Sequence, residues 1–289
     1  MIPAAFDYRR AKTIDEALAL IGETAEEARF LAGGHSLIPL MKLRFSQPDR
    51  LVDIMHVPGL AGIWERNGQV GIGATTRYVE LERSRILQDV LPVVAEAAGE
   101  IGDPQVRHRG TIGGSLAHAD PAADLPAVMV ALDAFLDIVG PQGRRRVQAE
   151  DFFQGFFTVD LAEGELITEM RMLPRRTAAY AKLHQKASHF ALVGVAAALE
   201  IEAGNGADGV CRGARVAVTG LSTHAQRLRG VEASLIGERL EEEVIRAAAE
   251  RAPEGIEEVN DDLHGSAEYR REMAKVFAAR AIRRAAARA

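Results

Sequence analysis

The stretch Ala32-Gly33-Gly34-His35-Ser36 joins two different local patterns, a strand and a helix. Before it, Arg29-Phe30-Leu31-Ala32 has the length and apolar character of a short buried strand. After it, Ser36 is a suitable N-cap for a helix over Leu37 to Arg44. Paired glycines let backbone amides point together and let an anion come close. The stretch therefore predicts a phosphate-binding turn with free amides at a helix start.

The residues on either side of this turn alternate between helix and strand. Thr13 and Glu16 form a capping box before an apolar run, and Gly22 ends that helix. Leu51-Val52-Asp53-Ile54 has the pattern of a second short strand. Residues 1–55 are therefore predicted to be a small α/β lobe.

Residues 56–176 mix hairpins and helices and are predicted to be a second lobe of α+β structure. Asn67-Gly68 predicts a hairpin, because both central residues of a type I′ turn need positive φ. Pro92 to Gly99 is typical of a helix with proline in its first turn. The other predicted elements are a hairpin of Ala134 to Gly140 with Arg144 to Gln148, and a strand from Leu166 to Leu173 that ends at Pro174.

A linker at Pro174-Arg175-Arg176-Thr177 is predicted to separate residues 1–176 from a second domain, 177–289. In that domain apolar residues alternate from Val193 to Ile201, which is typical of a strand. The remaining predicted elements are a partner strand at Arg215-Val216-Ala217-Val218, a turn at Gly204 to Gly209, and helices over Leu240 to Arg251 and Ala267 to Ala287. These elements predict a small antiparallel sheet with helices on one side.

Composition limits the classes of function. The 289 residues are 47% hydrophobic and 26% charged, as in soluble globular proteins with a core. The net charge of -6 argues against nucleic acid as a partner. Cys211 is the only cysteine, so the chain holds neither an internal disulfide nor an iron–sulfur cluster of its own. With no apolar run of signal-peptide or membrane-spanning length, we expect a cytoplasmic protein.

A second glycine segment, Gly110-Thr111-Ile112-Gly113-Gly114-Ser115, repeats the pairing of glycines with hydroxyl residues. One such pair alone is more often an ordinary turn. Two together predict a clamp that grips a diphosphate from both sides with main-chain amides. The chain has no P-loop, and Gly71-Ile72-Gly73 lacks the third glycine of the dinucleotide fingerprint.

Both glycine segments, followed by Asp120-Pro121-Ala122-Ala123-Asp124-Leu125-Pro126-Ala127, resemble the flavoprotein (medium) subunit of aerobic carbon monoxide dehydrogenases. That subunit is similar to the FAD domain of xanthine dehydrogenase. The resemblance runs along nearly the whole chain and includes Met41-Lys42-Leu43-Arg44 and Pro104-Gln105-Val106-Arg107. It implies an α+β fold with a two-lobed FAD-binding domain of the PCMH/VAO type, then a small C-terminal domain.

The resemblance also implies which residues bind FAD. It implies no catalytic residue, and we assign no metal ligand. Asp124 matches a carboxylate that bonds the cofactor's sugar hydroxyls, Lys182 a basic residue that reaches the flavin, and Phe190 an aromatic over the isoalloxazine ring. Thr111 and Ser115 match residues beside the cofactor. The implied set is Ala32, Gly33, Gly34, His35, Ser36, Leu37, Ile101, Thr111, Ile112, Gly113, Gly114, Ser115, Asp124, Ile167, Lys182 and Phe190.

Several of these residues also have ordinary structural interpretations. Asp124 is a suitable N-cap for a helix over Leu125 to Leu132, a lone lysine such as Lys182 is usually solvated, and Phe190 fits a core. The chain also departs from the family pattern. Ser115 replaces an asparagine, His189 replaces an acidic residue, and Phe190 replaces a tyrosine.

The implied function is electron transfer through FAD within a complex. The family's complex contains a large molybdenum subunit and a small subunit with two [2Fe–2S] clusters, in a heterotrimer that dimerises. Electrons leave to a quinone-type acceptor, and the complex associates peripherally with the inner membrane. The alternatives are a flavin subunit for an aldehyde or N-heterocycle dehydrogenase, a self-contained flavin oxidoreductase, and a non-enzymatic nucleotide-binding protein. Flavin colour and single-chain turnover discriminate among them.

Overall fold

The N-terminal lobe is a three-stranded parallel sheet of order β1-β3-β2 in a computed structural model that describes residues 2–23, 27–202 and 209–289. Its elements are β1 (Asp7–Arg10), α1 (Ile14–Gly22), β2 (Ala28–Leu31), α2 (Leu37–Lys42) and β3 (Arg50–Asp53). The Thr13 hydroxyl caps α1 by accepting from the Glu16 amide, as predicted. Ser36 occupies the N-cap position of α2, but its backbone is helical and its side chain makes no capping hydrogen bond. That part of the prediction was wrong, and α2 ends at Lys42 rather than Arg44.

The second lobe contains a five-stranded antiparallel sheet of order β4-β5-β10-β6-β7. Its strands are β4 (Ile63–Arg66), β5 (Gln69–Gly73), β6 (Phe135–Gly140), β7 (Gly143–Gln148) and β10 (Leu166–Met172). Both predicted hairpins are present. Asn67 and Gly68 have φ of 52° and 72°, which the turn between β4 and β5 requires.

Helices pack against this sheet and against one another. They are α3 (Tyr78–Arg83), α4 (Arg85–Val90), α5 (Pro92–Gly99), α6 (Pro104–Arg107), α7 (Ile112–His118), α8 (Asp124–Ala131) and α9 (Ala149–Phe152). A small hairpin of β8 (Phe153–Gly155) and β9 (Thr158–Val159) follows. The helix predicted over Pro92 to Gly99 is confirmed. Every residue of α8 is buried, so this helix lies in the centre of the molecule.

The C-terminal part is a four-stranded antiparallel sheet of order β11-β12-β13-β14 with three helices. Its elements are β11 (Ala178–His184), β12 (Ala191–Ile201), β13 (Cys211–Thr219), β14 (Gln226–Arg227), α10 (Arg229–Leu235), α11 (Glu242–Ala249) and α12 (Ala267–Ala286). The turn predicted over Gly204 to Gly209 lies outside the described residues except for Gly209. Within the described ranges, every helix is too short or too polar to cross a membrane.

Strand β12, predicted from its alternation, is buried on both faces. Val193, Val195 and Leu199 join a core with α12. Ala196 and Ala198 join the other core, which contains α8. The alternation therefore places large apolar residues on one face of the strand and small ones on the other. The small residues let α8 approach the sheet closely.

Candidate functional site

A cavity of about 760 Å³ lies where the two lobes meet, and both glycine segments line it. Its wall includes residues 31–37 from the β2–α2 turn, 110, 111 and 113–115 from the start of α7, and 74 and 75 after β5. Residues 161–167 complete the wall at the start of β10. The volume falls within the range of cofactor-sized sites, about 300–1,000 Å³. The two segments, far apart in sequence, therefore face one site, as predicted.

The first glycine segment touches the chain that leads into the second. A Cβ added at Gly33 would overlap the carbonyl oxygen of Arg109. Gly34 has a φ of 73°, which side-chain-bearing residues rarely adopt. The glycine pair is thus needed for a close backbone contact and for the turn, as well as for any ligand.

The first segment contains backbone donors that have no acceptor in the described part of the chain. Within the described ranges, no acceptor is bonded to the amides of Gly33, Gly34, His35 and Ser36. All of these residues line the cavity. Amides that have no partner in the protein and lie together form an anion-binding concavity. A phosphate group is the ligand that this arrangement favours.

The second segment differs, because its amides are already used inside the protein. Gly113 donates to the Ala74 carbonyl at 2.8 Å, and Gly114 donates to the Thr111 hydroxyl at 3.3 Å. The Ser115 amide donates to the Thr111 carbonyl. The predicted grip by main-chain amides from both sides was therefore wrong for residues 113–114. The Gly113 bond fastens α7 to the residue after β5, while the other two lie within the first turn of α7. The second segment offers space and side chains instead.

The wall also contains hydroxyl groups, beside charged side chains such as Arg29 and Glu165. Thr111, Ser115, Thr75 and Tyr78 all line the cavity. Burial raises the pKa of Tyr78 to about 12, and a hydrogen bond with Ser115 counteracts this effect. Burial likewise lowers the pKa of His118, so the imidazole at this wall is neutral at pH 7.

The structure brings most of the predicted cofactor-binding residues together. Those that line the cavity are Ala32, Gly33, Gly34, His35, Ser36, Leu37, Thr111, Gly113, Gly114, Ser115 and Ile167. Those that do not line it are Ile101, Ile112, Asp124, Lys182 and Phe190. Ile112 is fully buried in the core, and Ile101 packs against that core. Ile112 therefore anchors the start of α7 in the core.

Asp124 and Lys182 bond to each other instead of pointing into the cavity. The Lys182 ammonium lies 3.0 Å and 3.1 Å from the two carboxylate oxygens of Asp124. The Tyr180 hydroxyl donates to the same carboxylate at 2.6 Å. Asp124 is the first residue of α8 and Ala123 is the N-cap, so the prediction of Asp124 as N-cap was wrong. The lysine side chain is fully buried, which also excludes its interpretation as a solvated surface residue.

Lys182 also fixes the loop that carries Phe190. Its ammonium donates to the carbonyls of His189 at 2.9 Å and Glu100 at 2.7 Å. His189 has a φ of 60°, and its ring stacks on His184 with an angle of 2° between planes. Phe190 is 48% exposed, so it lies at the surface instead of in the core. An exposed aromatic held this way is available to contact a ligand or partner.

Sequence reasoning missed Thr75 and Tyr78 as residues of the site. Thr75 lies two residues after the end of β5, and Tyr78 begins α3. A pair of threonines at a strand end, Thr75-Thr76, is a local signal that was available in the sequence. It carries information only once the strand end is known to lie beside the glycine segments.

The residues present fit the FAD that the resemblance implies. The wall has free amides for a phosphate and a cleft at Gly114, where an added Cβ would meet only the Thr111 hydroxyl, at 2.8 Å. Backbone donors that have no acceptor in the described part of the chain are groups that a polar ligand satisfies.

Comparison with known families identifies the class of protein. Residues 4–175 match the model of the FAD binding domain in molybdopterin dehydrogenase. Residues 178–285 match the CO dehydrogenase flavoprotein C-terminal domain. The chain therefore belongs to the family of FAD-binding subunits of molybdopterin dehydrogenases. It is a flavoprotein, and it is an oxidoreductase subunit.

The similar individual proteins cover the full chain. The carbon monoxide dehydrogenase medium chain of Hydrogenophaga pseudoflava is 42% identical over 100% of this chain and 99% of its own. The structure of that enzyme superposes with a TM-score of 0.93. A subunit of the 6-hydroxypseudooxynicotine dehydrogenase complex of Paenarthrobacter nicotinovorans is 38% identical over 100% of this chain and 97% of its own. The expected fold, a two-part FAD-binding domain followed by a C-terminal domain, is confirmed.

Proposed function

We propose that this chain carries electrons through FAD in an aerobic carbon monoxide dehydrogenase. Electrons arrive from the [2Fe–2S] clusters of a small partner subunit and leave to a quinone-type acceptor. The observation that carries the proposal is the run of free amides at residues 33–36 in the cavity between the lobes. Bound FAD supplies chemistry that takes up electrons singly and releases them in pairs.

The protein's own residues bind and orient the cofactor. We propose that the amides of residues 33–36 bind the diphosphate, with Thr111 and Ser115 beside it and Ile167 in apolar contact. Ile112 and Ile101 support this wall from the core side. Asp124 and Lys182 stabilise the site without binding FAD through their charges, because the two charged groups form an ion pair with each other. Phe190 is the residue available for the isoalloxazine ring, since its loop exposes it.

The proposed domain boundary agrees with the family matches and with the sheets. We propose a FAD-binding domain of residues 1–176, with lobes 1–55 and 56–176, and a flavoprotein C-terminal domain of residues 177–289. The two family matches end at residue 175 and begin again at residue 178. The parallel sheet ends with Asp53, before the antiparallel sheet starts at Ile63.

The relatives are named as chains or subunits of larger enzymes, which supports a function within a complex. We propose a heterotrimer with a large molybdenum subunit and a small [2Fe–2S] subunit, dimerised and cytoplasmic. We propose that this complex associates with the membrane peripherally.

Carbon monoxide is the proposed substrate of the complex, because two carbon monoxide dehydrogenase medium chains are 42% and 39% identical to this chain. A second candidate is an N-heterocyclic or related substrate. The subunit from the 6-hydroxypseudooxynicotine dehydrogenase complex is 38% identical, which is nearly the same similarity. We predict that the purified chain with FAD shows a flavin spectrum but no carbon monoxide oxidation. Turnover by the chain alone would instead favour a self-contained flavin oxidoreductase.

Gly114→Leu tests whether FAD binds in this cavity. The added Cβ would meet only the Thr111 hydroxyl, which caps α7, and thermal unfolding of the apoprotein checks that the variant still folds while the cleft is filled. We expect FAD binding by the apoprotein to weaken by about a hundredfold or more, as a bulky group displaces several contacts. Gly22→Ala is the control, because nothing lies within 4 Å of the added Cβ. Equal FAD affinity of Gly114→Leu and the unmutated chain, measured by quenching of flavin fluorescence, contradicts the proposal.

A further inference from the structure

The loop that carries Phe190 is closed by hydrogen bonds within itself. It consists of residues 185–190, between β11 and β12, and Phe190 stands exposed at its end. The Gln185 amide donates to the Phe190 carbonyl at 2.8 Å, and the His189 amide donates to the Gln185 carbonyl at 2.9 Å. Exposed loops are ordinarily the mobile parts of a fold. In this loop, backbone bonds between the first residue and the last two fix the path of the chain.

The Gln185 side chain is the acceptor at the centre of this loop. Its Oε1 accepts from the Ala187 amide at 2.7 Å and also from the Ser188 amide. The Ser188 hydroxyl donates to the same oxygen at 2.9 Å. That hydroxyl in turn accepts from the Phe190 amide at 3.3 Å. Gln185 thus holds the amide of Phe190 through Ser188, and it holds the carbonyl of Phe190 directly.

The residues on either side of Phe190 are also fixed. His189 has a φ of 60°, which side-chain-bearing residues rarely adopt, and the Lys182 ammonium binds its carbonyl at 2.9 Å. The His189 ring stacks on His184, with ring centroids 5.1 Å apart. The Ala191 amide donates to the Ala122 carbonyl at 3.1 Å, just before α8. The backbone at Phe190 is therefore held from both directions while its ring remains exposed.

We infer that Gln185 is a positioning residue that holds the Phe190 ring over the isoalloxazine of FAD. The inference rests on the proposed placement of the isoalloxazine beside Phe190. An aromatic ring leaves the backbone in one of a few rotamers, so a fixed backbone limits the directions in which the ring can point. A side chain that is ordered before the ligand binds also loses less conformational entropy on binding.

The test measures how fast the reduced flavin of the FAD-loaded full chain passes electrons to benzoquinone. This acceptor is neutral, and a ring that covers the flavin limits its approach. The protein is reduced without air and mixed with benzoquinone, and the return of the flavin absorbance gives the rate constant. We expect Phe190→Ala and Gln185→Ala each to raise this rate constant by about twofold to tenfold, the factor that corresponds to the ordering of one side chain.

Two further variants show whether Gln185 acts through its acceptor oxygen. Gln185→Glu keeps an oxygen for the three donors, so its rate constant should lie within about twofold of the unmutated one. Lys186→Ala is the matched control, because Lys186 is exposed in the same loop. The double variant of Gln185→Ala with Phe190→Ala should be no faster than Phe190→Ala alone, since Gln185 acts through that ring.

The outcomes separate the inference from the placement of the flavin. An unmutated rate constant in Gln185→Ala, with a raised one in Phe190→Ala, overturns the inference and leaves the placement of the flavin intact. Effects that add in the double variant overturn it as well, because Gln185 would then act independently of the ring. An unmutated rate constant in Phe190→Ala means that the isoalloxazine does not lie beside Phe190, and both the placement and the inference fail.

Discussion

At the scale of single residues, the ion pair of Asp124 and Lys182 is a feature that costs desolvation free energy, because both charged side chains are buried. Burial raises the pKa of the Asp124 carboxyl, while the Lys182 charge and the Tyr180 hydroxyl oppose that shift. The same burial, with the charge of Asp124, raises the pKa of Tyr180 far above its ordinary value. Tyr180 is therefore a neutral donor, and Lys182 is what compensates the buried carboxylate.

Removing the lysine charge should therefore destabilise the fold strongly. We expect Lys182→Met to lower the free energy of unfolding by about 3–5 kcal/mol, because it leaves the Asp124 charge buried and uncompensated. The measurement is denaturant unfolding of the apoprotein at pH 7. Lys186→Met is the control, since Lys186 is exposed on the neighbouring loop. A cost below about 1 kcal/mol for Lys182→Met would mean that the pair behaves like a surface salt bridge.

The sequence predicted the individual residues of the site where the signal is local. The paired glycines and the polar residues of the turn at residues 32–37 lie next to one another in the sequence. The structure places this turn in the cavity wall. The expectation for the amides of Gly113 and Gly114 was wrong, because these amides donate to the Ala74 carbonyl and the Thr111 hydroxyl. The partner of Gly113 belongs to a strand end about forty residues away, so composition at the second segment does not reveal it. The pairing of Asp124 with Lys182 is equally non-local.

At the scale of elements, one arginine fastens edge strand β7 to the segment that leads into β10. Arg145 on β7 donates to both oxygens of Glu165 at 2.7 Å and 2.6 Å. It also donates to the Asp160 carboxylate at 2.8 Å. Glu165 immediately precedes β10 and lines the cavity. These bonds hold the pKa of the Glu165 carboxyl below its usual value of 4.5.

This shift predicts a pH-dependent contribution to stability. A carboxyl whose pKa is lower in the folded state stabilises the fold above the unfolded value, 4.5. That stabilisation is lost as pH falls through the lower folded value. We expect Glu165→Gln to lower the free energy of unfolding by about 1 kcal/mol at pH 7, a modest value because Arg145 is partly exposed. The difference from the unmutated chain should shrink below about pH 4.

Urea unfolding at a series of pH values measures this effect. Glu163→Gln is the matched control, because Glu163 is exposed two residues away. A destabilisation by Glu165→Gln that is the same at pH 3.5 and pH 7 would show that the ion pair is not its cause.

Elements with local signals were predicted well, and tertiary packing explains the differences. Asn67-Gly68 and Pro92 encode their turn and helix start through their own backbone preferences. Strand β12 was found by its alternation, but its second buried face depends on α8 from the other domain. Ser36 was expected to cap α2 with its side chain, yet its helical backbone removes that geometry.

At the scale of the whole molecule, the two predicted domains share one interior. Helix α8 of the first domain packs on β12 and β13 of the second. Salt bridges cross the same boundary, from Arg215 to Asp133 at 2.7 Å and from Arg227 to Glu150 at 3.3 Å. The Thr219 hydroxyl also donates to backbone carbonyls just before α8. The C-terminal domain thus positions the helix that carries Asp124, behind the cofactor cavity.

The most direct test is a crystal structure of the full chain reconstituted with FAD. We expect diphosphate oxygens within hydrogen-bond distance of the amides of residues 33–36, with the Gly113 amide still bonded to Ala74. A diphosphate bound elsewhere, with the amides of residues 33–36 facing solvent or protein, would show that the proposed FAD site is wrong.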